Sequence, residues 1–445
     1  MRPARLLDAD KKKVRLASRV AVQSYFTRLA ALGGGQHWID AVNRYRKTAT
    51  QTYADDIAAA SVNESSLIDY IAASAPAHLI DGWSYLARAT EAVVRGDLNA
   101  ALHLAYYSEL RAAMSLLACE GIGVFNNRHP IIEPSGTRTT AVQKIWLWQK
   151  TRFEKRPAGT HAAVWPLLNH WSSLKRAADL INRLVSPGGY TLHQWLDALA
   201  IQKPVRSISK RWFSSWGIDL SRLNDDHESR NMVSYRPSEF RLPVAPNAQR
   251  AVEFVSDLWT LFEPSAGGRF PQIEKELLRR IVRESGQTVE IATLRANLGM
   301  DLPGATNWKL FLSSPIDTLP LALADQSSDV ENTDCSLQVM SRAALLLFLA
   351  TGSTRKHLVD AGYSAHMLEF FWHRLCEVRF SGPVTSLPDD PIDIWQDIEE
   401  QIVDARNWSQ TATPFASLGE WRRLQPSVVN QIVGFELAAV WGLVS

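Results

Sequence analysis

The sequence predicts an all-α protein, mainly helical with a few short strands, in which a helical bundle domain is followed by a second helical region. Three observations predict it. Apolar residues recur at helical spacing through most of the chain. Helix stops are legible: Gly96-Asp97 reads as a helix end followed by an N-cap, and Gly121 closes the next helix. Stretches of strand character are confined to 123–125, 131–132, 240–244 and 289–291, too short and scattered for a central sheet.

Taken in order, the chain opens with a basic leader, in which Arg2, Arg5, Lys11, Lys12, Lys13, Arg15 and Arg19 face only Asp8 and Asp10. Helical periodicity begins at 79–95 and continues at 98–120. The second of these is apolar on nearly every face, which places it centrally in its domain. Glu109 falls on its stripe of Leu102, Ala105, Tyr106, Ala113 and Leu116, and Arg111 on that of Leu104, Tyr107, Met114 and Ala118. Charges on apolar stripes are costly unless paired, so each implies a partner on another helix. Helices follow at 162–184, 192–200, 219–235 and 248–262. A small-residue break at 263–268 then bounds a domain over 1–262. Helices at 272–284, 341–349, 366–378, 392–407 and 428–443 form a C-terminal domain over 269–445, with a second break at 381–391. No period recurs, which excludes a helical repeat array.

Composition bounds the function. The 445 residues are 46% hydrophobic and 21% charged, enough for a large core. A net charge of +2 excludes a polyelectrolyte binder, although charge is uneven. Lys144, Lys150, Arg152, Lys155 and Arg156 lie beside Trp146 and Trp148; Lys203, Arg206, Lys210 and Arg211 lie beside Trp212 and Trp216. Such runs hold phosphates and stack bases, or form solvated helix faces over packed tryptophans. Cys119, Cys335 and Cys376 are far apart, which fits a reducing compartment. The N-terminus lacks an apolar signal core, and the longest apolar run, 343–350, is too short to span a bilayer. A cytoplasmic protein without a membrane partner is expected.

No P-loop, Gly-x-Ser-x-Gly or His-Glu-x-x-His occurs, and no cofactor is expected. His366, His373 and Cys376 are conceivable zinc ligands on one helix, but Phe370, Phe371 and Trp372 between them read as core. Residues 288–299 have the form of half a helix-turn-helix, followed by a helix with only Lys309 as a reader, so a small helical subdomain is the simpler reading.

The informative helix is 219–235. Leu220, Leu223, His227, Arg230 and Ser234 share one face, and Asn231 lies on the flank shared with His227 and Tyr235. An Arg, an amide, an imidazole and two hydroxyls on a face that begins apolar is a phosphate-gripping combination, because the guanidinium fork donates bidentately. The plainer alternative is that Arg230 pairs with Glu109 and staples two core helices.

Arg230-Asn231-Met232-Val233-Ser234-Tyr235 resembles the Arg-Asn-x-x-x-His core of the HEPN superfamily, with Tyr235 at the position of the His. The stretch 105–114 resembles an early helix of that family, and the whole is most similar to divergent plasmid and YaaC-like members over about 75–262. The resemblance implies a metal-independent endoribonuclease, directed at RNA, of a bacterial defence or toxin system. It also implies a site that is often composite across a homodimer. In that reading Arg230 clamps phosphate, Asn231 orients it, Glu109 holds Arg230, and Tyr235 or His227 handles the proton; His129 is a further imidazole candidate. A Tyr hydroxyl, with a pKa of about 10 against about 6.5 for His, is a poor base near neutrality. The alternative is a catalytically inactive HEPN-like scaffold that binds a partner protein, such as one of a defence system, or a nucleic acid.

Overall fold

The computed structural model describes residues 3–32, 37–149, 151–201, 208–220, 223–235, 248–265, 269–326, 332–371, 391–411, 418–424 and 426–444. The chain is mainly helical, with two small two-stranded sheets among the described residues. Its N-terminal region holds three helices, α1 (Asp8–Leu16), α2 (Arg19–Ala31) and α3 (Ala49–Ala58). The basic leader is thus mostly helix, with Asp8 and Asp10 in its first turn and Lys13 and Arg15 in its last, which suits the helix dipole.

The centre is an antiparallel pair, α4 (Glu64–Arg95) and α5 (Leu98–Cys119). Asn63 caps α4, its side chain accepting from the Ser66 N–H at 3.0 Å. Gly96 ends the helix at φ +78°, a left-handed backbone that glycine tolerates, and Asp97 caps α5 by accepting from Ala100 N at 3.0 Å. Small residues bring the two axes close. The Ser108 and Ser115 hydroxyls donate to the carbonyls of Gly82 and Ala75, each at 2.8 Å.

Helix α16 (Cys335–Asp360) packs along both. The Trp83 indole N–H donates to Thr351 Oγ1 at 3.0 Å, and His357 Nε2 donates to the Cys119 carbonyl at 2.9 Å. This helix extends well beyond the predicted 341–349. By length and composition it could cross a membrane, yet 94% of its most apolar window is buried inside the protein. One cluster of buried side chains runs from Leu6 to Leu443. The expected boundary at 263–268 therefore does not separate two cores, because α16 supplies the 1–262 helices with their missing wall.

Between α5 and α16 the described residues form two hairpins and ten α-helices. Strands β1 (His129–Ile132) and β2 (Thr139–Val142) pair antiparallel, as do β3 (Ile145–Gln149) and β4 (Arg152–Arg156). Of the four stretches expected to be extended, 131–132 is strand, 123–125 is irregular, 289–291 leads into a helix, and 240–244 lies outside the described residues. The predicted helix 162–184 is two, α6 (Thr160–Trp171) and α7 (Lys175–Leu184). The hydroxyls of Ser172 and Ser173 donate back to the carbonyls of Asn169 and His170 at 2.9 and 2.6 Å and turn the chain there. After them come α8 (Leu192–Ala198), α9 (Ile208–Ser215), α10 (Leu223–Tyr235), α11 (Ala248–Leu261), α12 (Pro271–Ser285), α13 (Ile291–Leu298), α14 (Leu302–Leu312) and α15 (Leu319–Ala324). Beyond α16 lie α17 (Pro391–Thr411), α18 (Leu418–Leu424), α19 (Pro426–Ile432) and α20 (Leu437–Val444). The predicted 428–443 is thereby divided near Gly434. The break at 381–391 falls almost wholly outside the described residues.

Candidate functional site

Helix α10 lies against α5 and the start of α6, and this junction gathers most of the predicted site. Arg230 is only 3% exposed. Its guanidinium carbon stands 5.2 Å from the ring centres of both Tyr106 and Tyr107 on α5, in cation–π contact. Its Nη2 lies 3.4 Å from His161 Nε2, while its Nε is enclosed without a hydrogen bond. No carboxylate pairs with it among the described residues. A guanidinium stays charged at any ordinary pH, so this is an enclosed cation held by aromatic faces and an imidazole.

Three histidines ring that cation. His161, in the first turn of α6, stacks on His227 at 5.1 Å with the rings 2° from parallel, and both stack on Tyr106. His161 Nδ1 is 2.9 Å from the Tyr106 hydroxyl. Because Arg230 can only donate, His161 Nε2 must accept, and the ring proton then sits on Nδ1. Asn231 Nδ2 donates to His227 Nε2 at 3.2 Å, which sets that tautomer in the same way. His103 Nδ1 meets Ser234 Oγ at 2.6 Å. Burial, then the neighbouring His161 and Arg230, holds the His227 pKa down at about 4. Burial, then Arg230 and Arg111, does the same for His161, also at about 4. Burial and Arg230 lower His103 as well. All three imidazoles are therefore neutral near pH 7.

The junction opens on a cavity of about 290 Å³, lined on one side by Tyr107, Arg111, Thr160 and His161. Arg111 Nη1 is 2.9 Å from His78 Nδ1, and its Nε is 3.6 Å from Asp81, which is half exposed. Burial, then Arg111, depresses His78 to about 3. His78 and Arg111 also line an adjoining cavity of about 400 Å³, so they stand in the wall between two open spaces.

The remaining expectations resolve differently. Glu109 does not hold Arg230. It is fully enclosed, and Arg342 Nε of α16 lies 3.8 Å from its Oε1. Arg342 itself grips Asp226 through a fork of 2.8 and 2.9 Å. Glu109 has no hydrogen-bond partner for either oxygen, and burial, then the nearby Asp226, pushes its carboxyl well above the usual range. It stands behind the Arg342–Asp226 ion pair, with its proton favoured by burial. Asn231 orients His227, an assignment that differs from gripping phosphate directly. Tyr235 is 76% exposed at the last residue of α10. His129 is buried on β1, 3.2 Å from the Ala158 carbonyl, and takes no part in the cluster.

His161 is the site residue that sequence reasoning missed. Its signal was indirect: His103, Tyr106 and Tyr107 form a polar aromatic band on an otherwise apolar helix and require facing partners. Other candidates dissolve. His366 pairs with Glu369 at 2.7 Å on an exposed turn, and His373 and Cys376 lie outside the described residues. Lys309 on α14 bonds Glu290 at 3.2 Å. The Trp146 run forms the β3–β4 hairpin, where Lys155 covers Trp146 and Arg5 covers Phe153. Of the third run, Lys203 and Arg206 lie outside the described residues, while Trp212 and Trp216 are buried. No family model, no curated protein and no solved structure matches this chain.

Proposed function

We propose that this chain is an RNA-directed, HEPN-like protein that cleaves RNA without a metal. The observation that supports it is the enclosed Arg230, a cation with no carboxylate partner among the described residues, bound by a neutral imidazole on the wall of a cavity. Arg111 and His161 face that cavity together. An RNA phosphodiester entering there would meet the Arg111 guanidinium. A phosphate oxygen is a stronger acceptor for Arg230 than an imidazole at 3.4 Å, so it would displace His161 from Arg230. The freed Nε2 lone pair would then take the proton of the 2′-hydroxyl as that oxygen attacks phosphorus to form a cyclic phosphate. The bond to the 5′-oxygen breaks, and that oxygen leaves as an alcohol by taking a proton from water, to which His161 later gives up its own. Arg230 stands behind the reaction as the charge that binds the phosphate and holds His161 neutral. The role expected of Tyr235 passes to His161, and Asn231 serves by fixing the His227 tautomer.

A second reading is a catalytically inactive scaffold that binds nucleic acid or a partner protein. It is favoured by the 3% exposure of Arg230 and by Tyr235 pointing to solvent at the motif's last position. One experiment separates the two. RNA is incubated in EDTA with wild type, Arg230→Ala, His161→Ala and Arg111→Ala. Wild-type cleavage lowered at least a hundredfold in His161→Ala, the low end of what a positioned proton-transfer group contributes, supports the enzyme. RNA binding without cleavage in any variant establishes the scaffold.

A further inference from the structure

We propose that a second cavity, between the end of α7, residues 269–274 and α16, binds a small phosphorylated anion. It encloses about 250 Å³ and shares no lining residue with the cavity at the Arg230 junction, so it stands independently of the nuclease reading. Arg183, Arg269, Arg355 and Lys356 line it, against only two carboxylates, Glu274 and Asp360.

Both carboxylates are already committed. Glu274, 2% exposed, accepts from Arg269 Nε and from the Ser186 backbone N–H, each at 3.0 Å. Asp360 accepts from Lys356 Nζ at 2.8 and 2.9 Å. Arg183 and Arg355 are left with no ion-pair or hydrogen-bond partner among the described residues. Arg355 is half-buried, and burial first, then the neighbouring Arg269, disfavours its charge, with Glu274 opposing them. Four cations share this cavity with two carboxylates, and the one nearest Arg355, Glu274, is already taken by Arg269, which leaves an excess of positive charge in a partly desolvated place. A divalent anion relieves it. Phosphate fits best, because its oxygens accept from two guanidinium forks at once. The Phe270 and Phe348 rings on the other wall leave room for an organic portion.

The test uses the full chain and pyrophosphate as probe, by isothermal titration against sodium chloride of equal ionic strength. Wild type is expected to bind pyrophosphate saturably. Arg355→Gln is expected to weaken binding about tenfold or more, the effect of one charge-assisted contact. Arg183→Gln, on the exposed rim and without consequence for folding, should weaken it severalfold. Arg211→Gln, an exposed arginine on α9, should leave affinity unchanged. Saturable binding lost in both cavity variants and kept in Arg211→Gln establishes the site. No heat beyond the salt control, or an affinity unchanged in Arg183→Gln and Arg355→Gln, overturns it.

Discussion

Glu109 and Arg342 make the sharpest case at the scale of the residue. Burial and Asp226 both favour the protonated form of Glu109, and a protonated carboxyl offers Arg342 little charge to attract. Glu109→Gln is therefore expected to change stability by no more than about 1 kcal/mol, since it swaps one neutral group for another of the same shape. Arg342→Met strips Asp226 of its fork in the interior and should cost about 3–5 kcal/mol. Urea unfolding of both variants decides: equal losses would mean that Glu109 is an ionised member of the network. At the site, Asn231→Ala releases the His227 ring to flip and should lower RNA cleavage while leaving that ring stacked on His161. Kinetics in EDTA read the outcome, and unaltered cleavage would remove the His227 tautomer from the mechanism. That Glu109 needed a partner was legible from its apolar stripe. Which partner was not, because Arg342 sits in a stretch whose apolar neighbours read only as core.

At the scale of the element, the best-read features are those governed by local backbone chemistry. Gly96-Asp97 terminates one helix and caps the next as the residue types require. Gly121 is more demanding: its φ is +82°, and a Cβ there would meet the Ser18 carbonyl oxygen at 2.8 Å. Gly121→Ala should cost roughly 2–4 kcal/mol, combining a left-handed backbone with overpacking, and a thermal melt will show it. A loss under about 1 kcal/mol would mean that the α1–α2 turn yields easily. The elements misread are those whose cues apolar periodicity does not carry. The break between α6 and α7 depends on two serine hydroxyls turning back on the backbone, where periodicity alone continues through. The β3–β4 hairpin, whose own pairing is local, hid in a run of lysines, arginines and tryptophans that reads as a charged face, and its bridge from Trp146 to Arg5 joins residues far apart in sequence.

At the scale of the whole molecule, the single core contradicts a division at 263–268 and predicts how the chain behaves when cut. Residues 1–262 alone would expose the faces of α4 and α5 that α16 covers, and should aggregate or melt without a cooperative transition. A cooperative melt of that fragment by circular dichroism would reinstate two domains. Acid should also loosen the fold. His78 and His357 are held at about 3, and His129, His161 and His227 at about 4, all below the unfolded value of about 6.5. The unfolded chain thus binds these protons first as pH falls, so their contribution is complete above about 6.5 and declines toward 4. Glu109, and Glu276 raised to about 7, run the opposite way: their contribution is full at low pH and fades as pH rises. Asp69, Asp81, Asp257, Glu274 and Asp325, raised mainly by burial, run the same way as these two. Between pH 7 and 5 it is the unfolded histidines, near about 6.5, that take up protons, so the melting temperature should be lower at pH 5 than at pH 7; an equal or higher value at pH 5 would show that the carboxyls dominate. The burial of α16 also sets a schedule for synthesis. Roughly 240 residues separate the end of α5 from the end of α16. At about 5–20 residues per second, the nascent α4–α5 hairpin waits on the order of 10–50 s on the ribosome for the helix that covers it. During that interval its uncovered apolar surface is the part of the chain most exposed to chaperones.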